Sequence, residues 1–380
     1  MFNTSLTTAV KKDPVGNLLP LPSIATQSEE SFKEFFFLTM HVNKSKSMLE
    51  DNLDFNRRYL GLTNCFIFDD NQVKLDILPK QYFKTAICEL CKQAYEECDL
   101  LFNRCSIESI CPALRFNEAK IIEGINAELG IHIDSIEDAY DEIDKVRYDG
   151  LNKLVDDKFT DKSLLSLLGY FDKRTDNEIS QMATDNADIP TIFEYVLGII
   201  WYKASGRKGK VLDYMKLSLD ANLLPVTHAA GGEADIVYEY KQTRDYPERS
   251  LLLEATLADS TNQRRMEMEP VLRHLGNHLL RTGNHNSSCV FATSFLHINV
   301  IGDFRMREFV MYCDMKNSDN YITGMKIMPL CTNDLRNIVD KQIPYSKLYK
   351  HFSNAHNAQE MHPQKWYDEE DVSIENSDLY

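Results

Sequence analysis

Two short apolar runs that each carry one acid constrain this chain most: ADIVYEY, holding Asp235, and LLLEATL, holding Glu254. Both are rich in Val, Ile, Leu, Tyr and Thr, and a polar connector containing Pro247 separates them, so they read as paired strands. A helical pattern carrying Glu267 and His274 follows. An acid within a strand has two physical readings. It faces solvent, or it is buried and needs a partner or a metal. Two acids on neighbouring strands can point at one spot, and a hard cation such as Mg²⁺ takes carboxylate and water oxygens. Spacing leaves both readings open, because periodicity does not show which way either acid points.

The chain has 380 residues, room for about two or three domains. No apolar run approaches the roughly 20 residues that span a bilayer. The start, MFNTSLTTAVKKDPVGN, lacks the basic-then-apolar pattern of a signal peptide. A cytoplasmic protein with no membrane partner is expected. Nine cysteines at irregular spacing read as reduced thiols. Cys88 and Cys91 form a CxxC, but AICELCKQAYEECDLLF has a helical period and no second well-spaced pair follows. Packing into a core is expected there rather than zinc binding.

The net charge of −16 argues against a generic nucleic-acid binder. The acid is unevenly spread, however. Residues 367–380, YDEEDVSIENSDLY, have no Lys or Arg and read as a solvated, partly disordered tail. Over residues 191–280, bases nearly balance acids, which leaves room for a local DNA-facing surface.

In chain order, residues 28–42 read as a helix whose Phe35, Phe36 and Phe37 suggest burial on more than one side. A helix over 48–60 and strands over 65–68 and 73–78, joined by DDNQ, form the closing half of a winged-helix-like unit, a DNA-docking device. Any small α+β subdomain would show the same order. The N-terminal unit is placed at 1–115, a helical connector at 116–185, a catalytic domain at 186–365 and an acidic tail at 366–380. IPTIFEYVLGIIWYKASG is apolar almost all round, a core helix with Glu194 embedded near its start. That acid reads equally as a residue favoured by the helix dipole. GRKGK, from Gly206, lacks full Walker spacing and reads as a turn. Pro270 falls between Glu267 and His274, so a kink or a second helical segment is expected there. Arg305 and Arg307 are phosphate contacts or plain surface charges. The class is α/β (α+β).

HAAGGEADIVYEY followed by LLLEATLADSTNQRRMEMEPVLRHLG resembles the cleavage region of the AlwI-type restriction endonucleases. That family comprises type IIS enzymes and related nicking enzymes on a variant of the PD-(D/E)xK nuclease fold. The similarity runs upstream through IPTIFEYVLGIIWYKASGRKGKVLDYM and downstream from CVFATSFLHINVIGDFRMREF to GMKIMPLCTNDL. The resemblance implies a Mg²⁺-dependent endonuclease acting on double-stranded DNA. It implies Asp235, Glu254 and Glu194 as metal holders, Glu267 rather than Glu269 as a further acid, and His274 to orient or deprotonate water or to contact phosphate. A homodimer or a second subunit would serve double-strand cleavage.

Two departures stand out. Thr256 occupies the position where the nuclease pattern expects Lys. The region ahead of the wing-like segment is shorter than the family's recognition region, and residues 1–150 hold 16 Lys and Arg against 25 Asp and Glu. Phosphate contacts need cations. A shortened member, a fragment, or a non-catalytic DNA-associated subunit would each fit that departure.

Overall fold

The computed structural model describes residues 28–42, 65–69, 72–92, 106–368 and 374, apart from 221, 229–231, 233 and 259, with isolated residues between 43 and 64. Contacts divide the chain into two units, Met1–Phe66 and Ile67–Tyr380. In the first, α1 (Glu29–Val42) starts where Ser28 Oγ accepts from the Ser31 N–H, with Glu29 and Glu30 in the first turn. Phe35 is buried, whereas Phe36 and Phe37 stand exposed, unlike the expectation of burial on several sides. Successive helical positions turn by about 100°, so three in a row cannot share one covered face. The helix expected over 48–60 lies almost wholly outside the described residues.

From the last residue of the first unit, β1 (Phe66–Asp69) runs into the second and is paired with β2 (Gln72–Leu75). The second strand stops at Leu75, not at residue 78. Asp76 ends it by capping α2 (Ile77–Lys84), accepting from the Ile77 N–H at 2.7 Å. Cys88 and Cys91 are exposed, against the expectation of core packing. There the short helix Ile87–Leu90 ends, and Ala86 and Leu114 pack with Cys111 instead. Cys98 lies outside the described residues.

A helical stretch follows: α3 (Glu118–Leu129), α4 (Ile136–Asp157) and α5 (Asp161–Lys173). Asn117, Ser135 and Thr160 each cap one of them with a side-chain oxygen. Helix α6 (Ile189–Ala204) is the centre of the core. Asp188 caps it, Pro190 sits in its first turn, and Thr191 to Tyr202 are all buried.

The main sheet has four strands, β3 (Ile236–Tyr240), β4 (Arg249–Thr256), β5 (Ser288–Thr293) and β6 (Ile327–Cys331), in the order β6-β5-β4-β3. β3 and β4 are antiparallel, and β4, β5 and β6 are parallel. Helix α7 (Ser260–Thr282) joins β4 to β5, and α8 (Ile298–Met306) lies between β5 and β6. The architecture is mixed α/β, and the core helix, paired strands and following helix are those read from sequence.

Alternation along β4 divides the core. Leu251 and Leu253 join the cluster containing α6 residues such as Tyr195 and Ile199. Leu252 joins the cluster of α7 and α8 residues, including Val271, Leu275 and Phe304. Glu254 has the parity of Leu252, and Asp235 that of Val237, which packs on the same second cluster. Pleating therefore sends Glu254 towards α7.

Towards the C-terminus, α9 (Thr332–Asp340) presents fully buried Asp334, which accepts from the Tyr367 hydroxyl and the Ile374 N–H, each at 2.7 Å. Trp366, Tyr367 and Ile374 are buried, so the stretch expected to be solvated is pinned at these points. Its apolar residues find a core, and a buried carboxylate gathers their donors. Among the described residues, no helix is long and apolar enough to cross a membrane.

Candidate active site

Beyond the last paired residues of β3 and β4, Ile236 and Leu253, the antiparallel register sets Asp235 against Glu254. The Ala255 N–H donates to Asp235 Oδ2 at 2.9 Å, tying the acid to the neighbouring strand. Glu194, Asp235, Glu254, Glu267 and His274 line one cavity of about 420 Å³. They arrive from α6, the start of β3, β4 and α7.

Helix α7 runs unbroken from Ser260 to Thr282 with Pro270 inside it, so the expected second segment is absent. One continuous helix sets Glu267 and His274, seven residues apart, on one face. Glu269 instead meets Arg273 at 3.0 Å on the outside and is 70% exposed. His274 Nδ1 is 2.7 Å from Glu254 Oε1. The Thr256 hydroxyl donates to Glu267 Oε1 at 2.9 Å. Thr256 thus anchors a second acid from the position where the sequence pattern expects a cation, a tie that no spacing argument could reveal.

Electrostatics set the acids on edge. Burial, then the charges of Asp188, Glu254 and Glu267, push the Glu194 carboxyl up to about 8. Burial and the charges of Glu194 and Glu254 hold Asp235 well above the usual carboxylate range, despite the Ala255 N–H. Burial also raises Glu254, with the bond and charge of His274 opposing it. Glu267 is raised by burial and pulled back by Thr256. At the cavity, Glu194 Oε2 and His274 Nε2 are buried and have no hydrogen-bond partner among the described residues.

The sequence model of the AlwI restriction endonuclease family matches residues 9–338. The chain belongs to the AlwI restriction endonuclease family. All five cavity residues fall within the matched stretch. Among solved structures similar to this AlwI-family chain is the small subunit (R.BspD6I2) of the heterodimeric restriction endonuclease R.BspD6I. It shares 17% identity with a TM-score of 0.39, over 54% of this chain and 96% of that one. No curated protein matches the chain.

The donor set suits a hard divalent cation. Carboxylate oxygens dominate, one is unpartnered among the described residues in a buried setting, and burial, followed by the charges of neighbouring acids, raises Glu194 and Asp235, a cost that a cation would relieve. As placed, no group of three or more His, Cys, Asp or Glu among the described residues is close enough to hold a metal. Glu254 is turned to His274 and Glu267 to Thr256, so the acids would have to turn inward to share an ion.

Other sequence candidates lie elsewhere. Arg305 is buried, bonded to Glu308 and to the carbonyls of His356, Ala358 and Glu360, so it clamps the C-terminal segment and is not offered to phosphate. GRKGK turns the chain, with Gly206 and Arg207 both at positive φ.

Proposed function

We propose that this chain is a Mg²⁺-dependent DNA endonuclease of the type IIS restriction or nicking kind, hydrolysing phosphodiester bonds in double-stranded DNA. The observation that carries this reading is the meeting of Glu194, Asp235, Glu254, Glu267 and His274 in one cavity. Family membership supplies the reaction class. The antiparallel β3–β4 pair bearing the acids, followed by α7 and parallel β5, supports a PD-(D/E)xK-like core. In this reading residues 186–365 form the catalytic domain, 116–185 connect it, and the wing-like part of 1–115 docks DNA.

Asp235, Glu254 and Glu194 would hold Mg²⁺, which supplies charge neutralisation at the phosphate and a more acidic water. The protein's own groups do the rest. In this reading Glu254 accepts from His274 Nδ1–H, which fixes the tautomer and leaves Nε2 as an acceptor. Nε2 takes a proton from the attacking water. The water oxygen forms the new bond to phosphorus, the ester oxygen leaves with its bonding pair, and solvent reprotonates it. Glu254 then stabilises the imidazolium. Glu267, steadied by Thr256, completes the acidic wall.

One cavity cuts one strand. Cutting both calls for a second cavity, from a second copy or another subunit. The test is incubation of purified protein with supercoiled plasmid and Mg²⁺. Open-circular or linear product supports the reading. Binding to duplex DNA with neither strand cut would mark a non-catalytic DNA-associated subunit instead.

A further inference from the structure

Strand β4 carries Thr256 two residues past Glu254, so the strand brings no cation to the cavity. Phosphoryl transfer places growing negative charge on the non-bridging oxygens, and surrounding carboxylates make that charge harder to bear. A positive side chain at the cavity would relieve it. Among the described residues lining the cavity, Arg174 is the one with a permanent positive charge.

Arg174 comes from a distant part of the chain, at the C-cap of α5. Its Nη1 donates to the Leu257 carbonyl at 3.3 Å, the residue directly after Thr256. The guanidinium is therefore moored at the end of β4, beside the position from which a strand lysine would reach. Its Nε pairs with Asp176 at 3.6 Å, and the side chain is 52% exposed at the cavity rim. A guanidinium has five N–H donors, so these two contacts leave others for a planar anion. The backbone adds a second observation. Arg174 has φ 53° and ψ 43°, the left-handed conformation that Gly takes most readily at a helix end. A long charged side chain therefore stands at a position where its backbone conformation is disfavoured.

We propose that Arg174 supplies the cation that β4 lacks, donating to a non-bridging oxygen of the scissile phosphate. This rests on the nuclease reading above. Arg174 transfers no proton and forms no covalent bond; it stabilises charge that develops as water attacks. The competing cation is Arg273, whose charge acts on Glu254. Its Nε is bonded to Glu269, however, and it does not line the cavity.

The left-handed backbone provides a clean test, because Arg174→Gly removes the side chain while easing the conformation. Wild type, Arg174→Gly, Arg174→Lys and Arg273→Ala are compared in single-turnover plasmid cleavage at saturating protein and Mg²⁺. Melting with and without Mn²⁺ is measured alongside. The expected result for Arg174→Gly is an unchanged or higher Tm, a retained Mn²⁺ shift, and a rate lowered about 100-fold or more. Arg174→Lys should recover part of that rate, and Arg273→Ala should stay within about threefold of wild type. Arg174→Gly cutting within threefold of wild type would overturn the assignment while leaving the nuclease reading intact. An equal loss in Arg273→Ala would also overturn it. A wild-type protein that does not cut removes the nuclease reading and this inference with it.

Discussion

His274 Nδ1 stands 2.7 Å from Glu254 Oε1, with the two side chains 9% and 8% exposed. In such a buried pair each group depends on the other's protonation. A proton on Nδ1 would point at Glu254 and leave Nε2 as an acceptor, and the bond and charge of His274 oppose the burial that raises the Glu254 pKa. Replacing His274 by Ala should lower the cleavage rate about 10²- to 10⁴-fold, the range for a lost general base. The Glu254→Gln, His274→Ala double variant should be little worse than the poorer single variant, because the two act as one unit. Single-turnover rates at saturating DNA measure this. Multiplying losses would mean that the two residues work separately.

Glu194 gives metal-free stability a pH dependence of predictable sign. Its folded-state pKa is raised from 4.5 to about 8, so between those values the folded protein binds more protons than the unfolded chain. The stabilisation is complete below about 4.5 and is lost as pH rises towards 8. Asp235 and Glu254 shift the same way. Each pH unit crossed loses at most about 1.4 kcal/mol per group. In chelator, Glu194→Gln should melt close to wild type at pH 5 and higher than wild type at pH 8. Melting curves at the two pH values decide it. An equal offset at both would mean that the charge of Glu194 plays no part.

A backbone contact next to the site makes a third expectation. A Cβ on Gly276 would overlap the Tyr312 ring, which packs across α7 and donates its hydroxyl to Asn277 Oδ1 at 3.1 Å. Alanine is ordinarily better than glycine inside a helix by about 1 kcal/mol. Here Gly276→Ala should instead destabilise by about 1–3 kcal/mol through overpacking. In a Tyr312→Ala background the same change should become stabilising. Urea unfolding of the four proteins measures both signs.

Much of this was legible in sequence where the signal is local. The acid-bearing runs form β3 and β4, the apolar run after Asp188 forms α6, and the expected helical connector gives α3, α4 and α5. Glu194, Asp235, Glu254, Glu267 and His274 were all candidates, because family resemblance preserves order where spacing cannot show direction. What escaped depends on long-range contact. Arg174 is 83 residues from the carbonyl that holds it, and no period reports such a bond. Ile374 is pinned by Asp334 within a stretch whose composition says solvated tail. At Asp76 a single side-chain cap turned expected strand into helix. Pro270 did not break α7, whose face packs against the sheet.

Replacing the cation should separate binding from chemistry. Ca²⁺ is larger and more loosely coordinated than Mg²⁺, so it should raise the Tm yet support cleavage poorly. Plasmid cleavage and melting in the two metals check this. Equal cleavage rates would mean that strict coordination is not needed.

The most direct measurement is melting of wild type and Glu254→Gln across a Mn²⁺ titration at constant ionic strength. A cation that binds only the folded state stabilises it by about 2.7 kcal/mol at a hundred times its Kd. Wild type should show a Tm that climbs steadily with Mn²⁺. Glu254→Gln, which keeps the shape and loses the charge, should retain less than half of that rise. Equal rises in the two proteins would place the cation away from this cavity and contradict the carboxylate site.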